Sequence, residues 1–159
     1  MTAAGPEDRP GRALELAFRY LSRRQRTVAE VRKHLEAKEI DPATVEATVA
    51  ELLEQRYLDD AQYAAVFAGD RRNLDGWGAE RIARKLAQLG VEREHVAAAL
   101  AGQDAESELD AAVELLRRRF RVPPETERDR ERALGVLVRK GYELEVAYDA
   151  VRALGRAAA

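Results

Sequence analysis

The 159-residue chain sets 27 Lys and Arg against 29 Asp and Glu, a formal charge of −2, with 46% hydrophobic and 35% charged residues; that length suits one ordinary domain or a short array of small units. Lacking cysteine, it has no disulfide framework, thiolate metal site or thiol nucleophile. No apolar run approaches the roughly 20 residues of a membrane span, and "MTAAGPEDRPGR" lacks an apolar signal core, so a soluble cytoplasmic chain with no membrane partner is expected.

In chain order, residues 1–11 read as a disordered N-terminal tail. Leu14, Ala17, Phe18 and Leu21 then recur at i, i+3, i+4 and i+7, the apolar stripe of a first helix. "TVAE" at Thr27–Glu30 is a capping box that starts a second helix, and Asp41 is an N-cap before Pro42 at the first position of a third. A fourth runs from Asp59 to Arg72 on Tyr63, Val66 and Phe67, until "LDGWG" at 74–78 breaks it. "RIARKLAQLGVEREHVAAAL", residues 81–100, is two short helices joined at Gly90. Leu109, Ala112, Val113 and Leu116 repeat the first stripe, "VPP" at 122–124 interrupts, and "LVRKGYELEVAYDAV" carries the last hairpin. The reading is nine helices in three units, 12–58, 59–102 and 104–155.

These units repeat one another. A shift of 51 residues lays Val31, Leu35, Ile40, Val45 and Val49 on Ile82, Leu86, Val91, Val96 and Leu100, and a second shift reaches Ala133, Leu137, Tyr142, Ala147 and Val151. Glu39 falls on Gly90 and Gly141, the expected helix stop. A fixed period of this size marks stacked supersecondary units. Units this small need neighbours to cover their faces, so the expected fold is all-α: three tandem three-helix repeats in an elongated, curved array.

The near-neutral total hides a pattern. Residues 12–35 hold seven basic and two acidic side chains, 36–60 two and eight, and 71–85 five and two. Residues 86–114 hold one and seven, and 115–140 nine and four. Basic and acidic blocks thus alternate at about the structural period. Stacked units would draw them into basic stripes suited to nucleic acid or an acidic partner; equally, they would form salt links between units or a solvated face.

Catalytic signals are weak. His34 and His95 stand in different units without a second histidine at ligand spacing, so no metal is expected. The carboxylates are scattered, and no phosphate-cradling glycine motif precedes a helix. No catalytic residue and no cofactor follow from this. A DNA-reading helix-turn-helix is disfavoured, because the second helices "PATVEATVAELLE" and "EREHVAAALAG" are acidic or alanine-rich. Tyr63 reads as core; Tyr57 and Trp77 are candidate stacking groups, Trp77 equally a core residue.

Three stretches resemble the RecX family of RecA regulators. "RTVAEVRKHLEAKEI" is similar to the family's first unit, and "YLDDAQYAAVFAGDRRNLDGWGAERIARKLAQLGV" to its middle unit, with Leu58, Asp60, Tyr63, Ala64, Arg71, Gly78, Arg81 and Ile82 in register. "LLRRRF" and "LVRKGYELEVAYDAV" are similar to its closing unit. Lys38-Glu39-Ile40 departs from the family's Lys-Gly step, and "VPPETERDRER" is lengthened. The resemblance spans Arg12 to Leu154 and implies three tandem three-helix repeats. It also implies a partner: the RecA–DNA filament, in whose groove such proteins lie while curbing recombinase, ATPase and coprotease activity.

On both grounds the candidate RecA- or DNA-binding residues are Arg24, Arg26, Lys33, Arg71, Arg72, Arg81, Arg84, Lys85, Arg118, Arg119, Arg139 and Lys140. Lys33 and Arg84 share one repeat position, opposite the apolar stripe. A monomeric regulator is expected, with single- or double-stranded DNA as a further partner. The alternative is a standalone helical-repeat nucleic-acid-binding protein.

Overall fold

The computed structural model describes residues 9–157. These form nine helices: α1 (Arg9–Leu21), α2 (Val28–Ala37), α3 (Pro42–Glu54), α4 (Asp60–Asp75), α5 (Ala79–Gln88), α6 (Arg93–Leu100), α7 (Ala105–Arg119), α8 (Glu127–Lys140) and α9 (Leu144–Arg156). The tail expected over residues 1–11 lies outside the described residues up to residue 8. Arg9 to Gly11 are helical, because Pro10 falls in the first turn, where its missing N–H has no partner to lose.

Five helices begin on a side-chain cap: Thr27, Asp41, Asp59, Asp104 and Thr126 each accept a backbone N–H from the first turn. Such caps are each worth about 1 kcal/mol. Thr27 makes the full capping box, its own N–H bonded by the Glu30 carboxylate at 2.9 Å.

Each group of three helices encloses its own core. Ala17, Val31, Leu35, Val45, Val49, Leu52 and Leu58 fill the first. Ala64, Ala68, Ile82, Leu86 and Val91 fill the second, with Tyr63, Phe67 and Trp77 around it. Ala112, Leu116, Ala133, Leu137, Tyr142, Ala147, Ala150, Val151 and Leu154 fill the third. Every extensively packed helix pair lies inside one unit. The accessible surface of 10631 Å² exceeds the ~8,000 Å² of a compact monomer of this mass, as a row of small cores should. Two positions of the expected stripes face outward: Val66 is 46% exposed, and Phe18, 39% exposed, meets the ring of Tyr57 edge-on at 5.0 Å. Small alanines, not Val66, let α4 approach its neighbours.

The units meet at two seams built on one plan. At the first, Thr27 Oγ1–H donates to the Leu89 carbonyl at 2.7 Å, and the Val28 N–H donates to Asp60 Oδ1 at 3.0 Å. At the second, the Gly78 N–H donates to the Lys140 carbonyl at 2.8 Å, and the Ala79 N–H to Glu108 Oε2 at 3.1 Å. Thr27 and Gly78 are one repeat apart, as are Leu89 and Lys140. In each case a carboxylate from the following unit satisfies the otherwise orphaned first amide of a helix.

The same plan explains where glycine stands in the hairpins. Gly90 and Gly141 have φ of +82° and +94°, and a Cβ on either would lie 2.2 Å from the Cβ of Ala29 or Arg81 in the unit before. Glu39, at the matching place in the first unit, adopts φ 60°. Its side chain is exposed, and the hairpin keeps its turn against an αL strain of roughly 1 kcal/mol.

Candidate interaction surface

The twelve candidate cations fall into several groups. Arg24 and Arg26 stand together before α2. Arg24 pairs with Glu30 at 3.0 Å. Arg26 lies 4.0 Å over the ring of Tyr20, which stacks in turn on His34 at 3.9 Å with the planes 1° apart. Burial, then Lys38, Arg26 and Arg23, push the His34 pKa down, which favours the neutral ring in this stack. Lys33, Arg84 and Lys85 are exposed on α2 and α5, with no ion pair among the described residues.

Five candidates converge at the second seam, where three of them fasten units together. Arg72 donates to the Ser107 carbonyl at 3.2 Å and lies 4.0 Å from Glu108. Arg81 donates to the Arg139 carbonyl at 3.2 Å while its guanidinium covers the Trp77 ring at 4.0 Å. Lys140 Nζ donates to the Asp75 carbonyl at 2.9 Å. Arg71 pairs with Asp75 at 2.7 Å and lies 5.7 Å from the Phe67 ring. Trp77 is therefore a core-edge residue roofed by Arg81, and Tyr63 is half-buried beside the second core.

The carboxylates under these seams are perturbed by the same packing. Burial raises the pKa of Asp60 against the opposing hydrogen bond from Val28. Burial likewise raises that of Glu108, against Ala79 and Arg72. Tyr142, buried near Glu108, is pushed up to about 12.

Arg118 and Arg119 occupy the last turn of α7. Arg118 sits 3.9 Å from Glu114, both exposed. Arg119 borders an open hollow of about 540 Å³ with Phe120, Arg132, Val136 and Arg139. Arg132 and Phe120 were not among the expected residues. A signal existed for Arg132: it lies one repeat beyond Arg81. A second hollow of about 560 Å³ opens at the first seam, where Arg32, Glu46, Asp60, Glu92 and His95 line it. Among the described residues no three His, Asp or Glu side chains gather as a metal site.

Three family models match, described as the first, second and third three-helix domains of RecX, over residues 13–52, 59–100 and 106–151. The regulatory protein RecX of Thermobifida fusca is 35% identical over 153 residues, covering 94% of this chain and 82% of that protein. The one from Mycolicibacterium vanbaalenii is 37% identical over 150 residues, covering 89% and 81%. A crystal structure of RecX from Lactobacillus salivarius superposes with a TM-score of 0.81 at 19% identity, over 94% of this chain and 99% of that one. A second RecX crystal structure gives 0.76 at 28% identity, over 92% and 73%.

Proposed function

The chain belongs to the RecX family of regulatory proteins, and we propose that it binds the RecA–DNA filament and curbs RecA recombinase, ATPase and coprotease activity. The observation that carries this reading is the row of separately cored units, each presenting exposed cations from its own helices. A helical polymer offers the same surface again at every subunit. A row of linked weak contacts matches such a lattice, since each contact raises the effective concentration of the next. Inhibition then needs no bond-breaking step: spanning neighbouring subunits, or covering the growing end, biases assembly.

In this reading Lys33, Arg84 and Lys85 are the first contacts, because they are exposed and unpaired, whereas Arg72, Arg81 and Lys140 set the angle between units two and three. The protein acts as a monomer in the cytoplasm and needs no cofactor. The test is RecA-dependent ATP hydrolysis on single-stranded DNA with this protein titrated in. A fall in rate at protein concentrations well below those of DNA supports the reading. An unchanged rate, together with tight binding to bare DNA, would replace it with the standalone nucleic-acid-binding alternative.

A further inference from the structure

The hollow in the third unit gathers charge that packing leaves unexplained, beside Phe120, which is half-buried against the third core. Its wall is three arginines, Arg119, Arg132 and Arg139, with Phe120 and Val136. All three arginines are exposed, and none is in an ion pair among the described residues. They come from two helices: Arg119 closes α7, while Arg132, Val136 and Arg139 share one face of α8 at i, i+4 and i+7. No carboxylate lines the wall, in a chain where carboxylates outnumber lysines and arginines.

A glycine supplies an independent sign. Gly135 lies inside α8, where glycine is unfavourable relative to alanine. A Cβ there would come 3.1 Å from Arg139 Nη1 and 3.7 Å from Cζ and Nη2. The Arg139 guanidinium thus lies back along α8 over Gly135, and a methyl there would press it to shift by a few tenths of an ångström.

We propose that this hollow is a phosphodiester site for single-stranded nucleic acid. The guanidinium forks take backbone phosphates, for which planar paired donors are suited, and Phe120 gives an unpaired base an aromatic surface. A duplex keeps its bases inside and leaves Phe120 nothing to hold, and an acidic polypeptide has no flat ring to place there. The volume is of the size that holds a small ligand group. The site rests on the filament reading for its biological use, though its binding chemistry needs no RecA.

The test is fluorescence anisotropy of the full chain, without RecA, against four labelled probes: a 15-mer oligothymidylate, an abasic strand of equal length, a 15-base-pair duplex and decaglutamate. Arg119→Gln with Arg132→Gln is expected to weaken oligothymidylate binding at least tenfold. It should also flatten the log–log salt slope by about 0.7 for each phosphate no longer held. Phe120→Leu should weaken the thymidylate several-fold and leave the abasic strand unchanged. Gly135→Ala should raise the melting temperature yet weaken binding, a pairing that a purely structural glycine would not show. Arg93→Gln, on α6, should change nothing.

Thymidylate binding unaffected by the double arginine change overturns the proposal. So does duplex bound as tightly as single strand. Decaglutamate bound with the same arginine dependence and no effect of Phe120→Leu makes the hollow an acidic-protein site instead. A protein that passes these measurements but leaves RecA-dependent ATP hydrolysis untouched loses the filament reading and keeps this site; the converse loses this site alone.

Discussion

Asp60 holds the start of a helix in the unit before its own: its carboxylate accepts the Val28 N–H at 3.0 Å, and the pairing crosses the first seam. An amide shielded at such a seam is expensive to leave without an acceptor. Asp60→Ala is therefore expected to destabilise the chain by about 1–2 kcal/mol, and Asp60→Asn, which keeps an oxygen there, to recover most of the loss. Urea unfolding followed by circular dichroism measures both; equal losses for the two would show that the acceptor is not what matters.

Glu108 plays the matching part at the second seam, and burial raises its pKa above the ordinary carboxylate value. The folded chain then holds this proton at a pH where the unfolded chain has released it. Its contribution is fully present below the unfolded value and falls as pH rises through the raised folded value. Glu108→Gln keeps the acceptor for Ala79 without the charge. The melting temperature of Glu108→Gln minus that of the parent should increase between pH 4 and pH 7; a constant difference would contradict the assignment.

Hairpin glycines give a prediction of opposite signs. Gly141→Ala places a methyl 2.2 Å from the Arg81 Cβ at a φ of +94°, so a loss of about 2 kcal/mol or more is expected from strain and clash together. Glu39→Gly relieves an αL residue at φ 60° whose side chain is exposed. It should gain up to about 1 kcal/mol, or less once the freer unfolded chain is counted. Thermal melts of both variants decide the matter, and destabilisation by Glu39→Gly would refute it.

Arg81 and Arg84 separate fold from contact. Arg81→Glu removes the hydrogen bond to the Arg139 carbonyl and the cover over Trp77, and should lower stability by about 1–3 kcal/mol. Arg84→Glu, exposed on α5, should leave stability within about 0.5 kcal/mol while weakening inhibition of RecA-dependent ATP hydrolysis roughly tenfold. Inhibition by Arg84→Glu equal to that of the parent removes α5 from the contact surface.

The helices and their repetition were legible because their signals are local: Thr27 and Asp41 announce caps within three residues, and the apolar rows recur at one spacing. The seams were not, since no spacing says that Arg72 reaches Ser107 or that Lys140 reaches Asp75. Charge blocks showed how many cations there were, but not which were occupied. Three of the five seam candidates are bonded to carbonyls, an acceptor that composition never displays. Arg132 shows the reverse case: the repeat shift sets it beneath Arg81, so its place was legible, whereas its exposure and lack of an ion pair among the described residues were not. Val66 misled because helix four buries alanines, whose small size carries little weight in a hydrophobic stripe.

The two seams share a plan but not a strength. Six hydrogen bonds, from Gly78, Ala79, Glu80, Arg72, Arg81 and Lys140, cross the second. Among the described residues two, from Thr27 and Val28, cross the first, beside a hollow of about 560 Å³. The second seam is therefore the more firmly fastened, and bending between units is expected at the first. On the filament reading proposed above, a mismatch in pitch is expected to be taken up at Thr27 and Asp60, leaving the arginine seam undistorted.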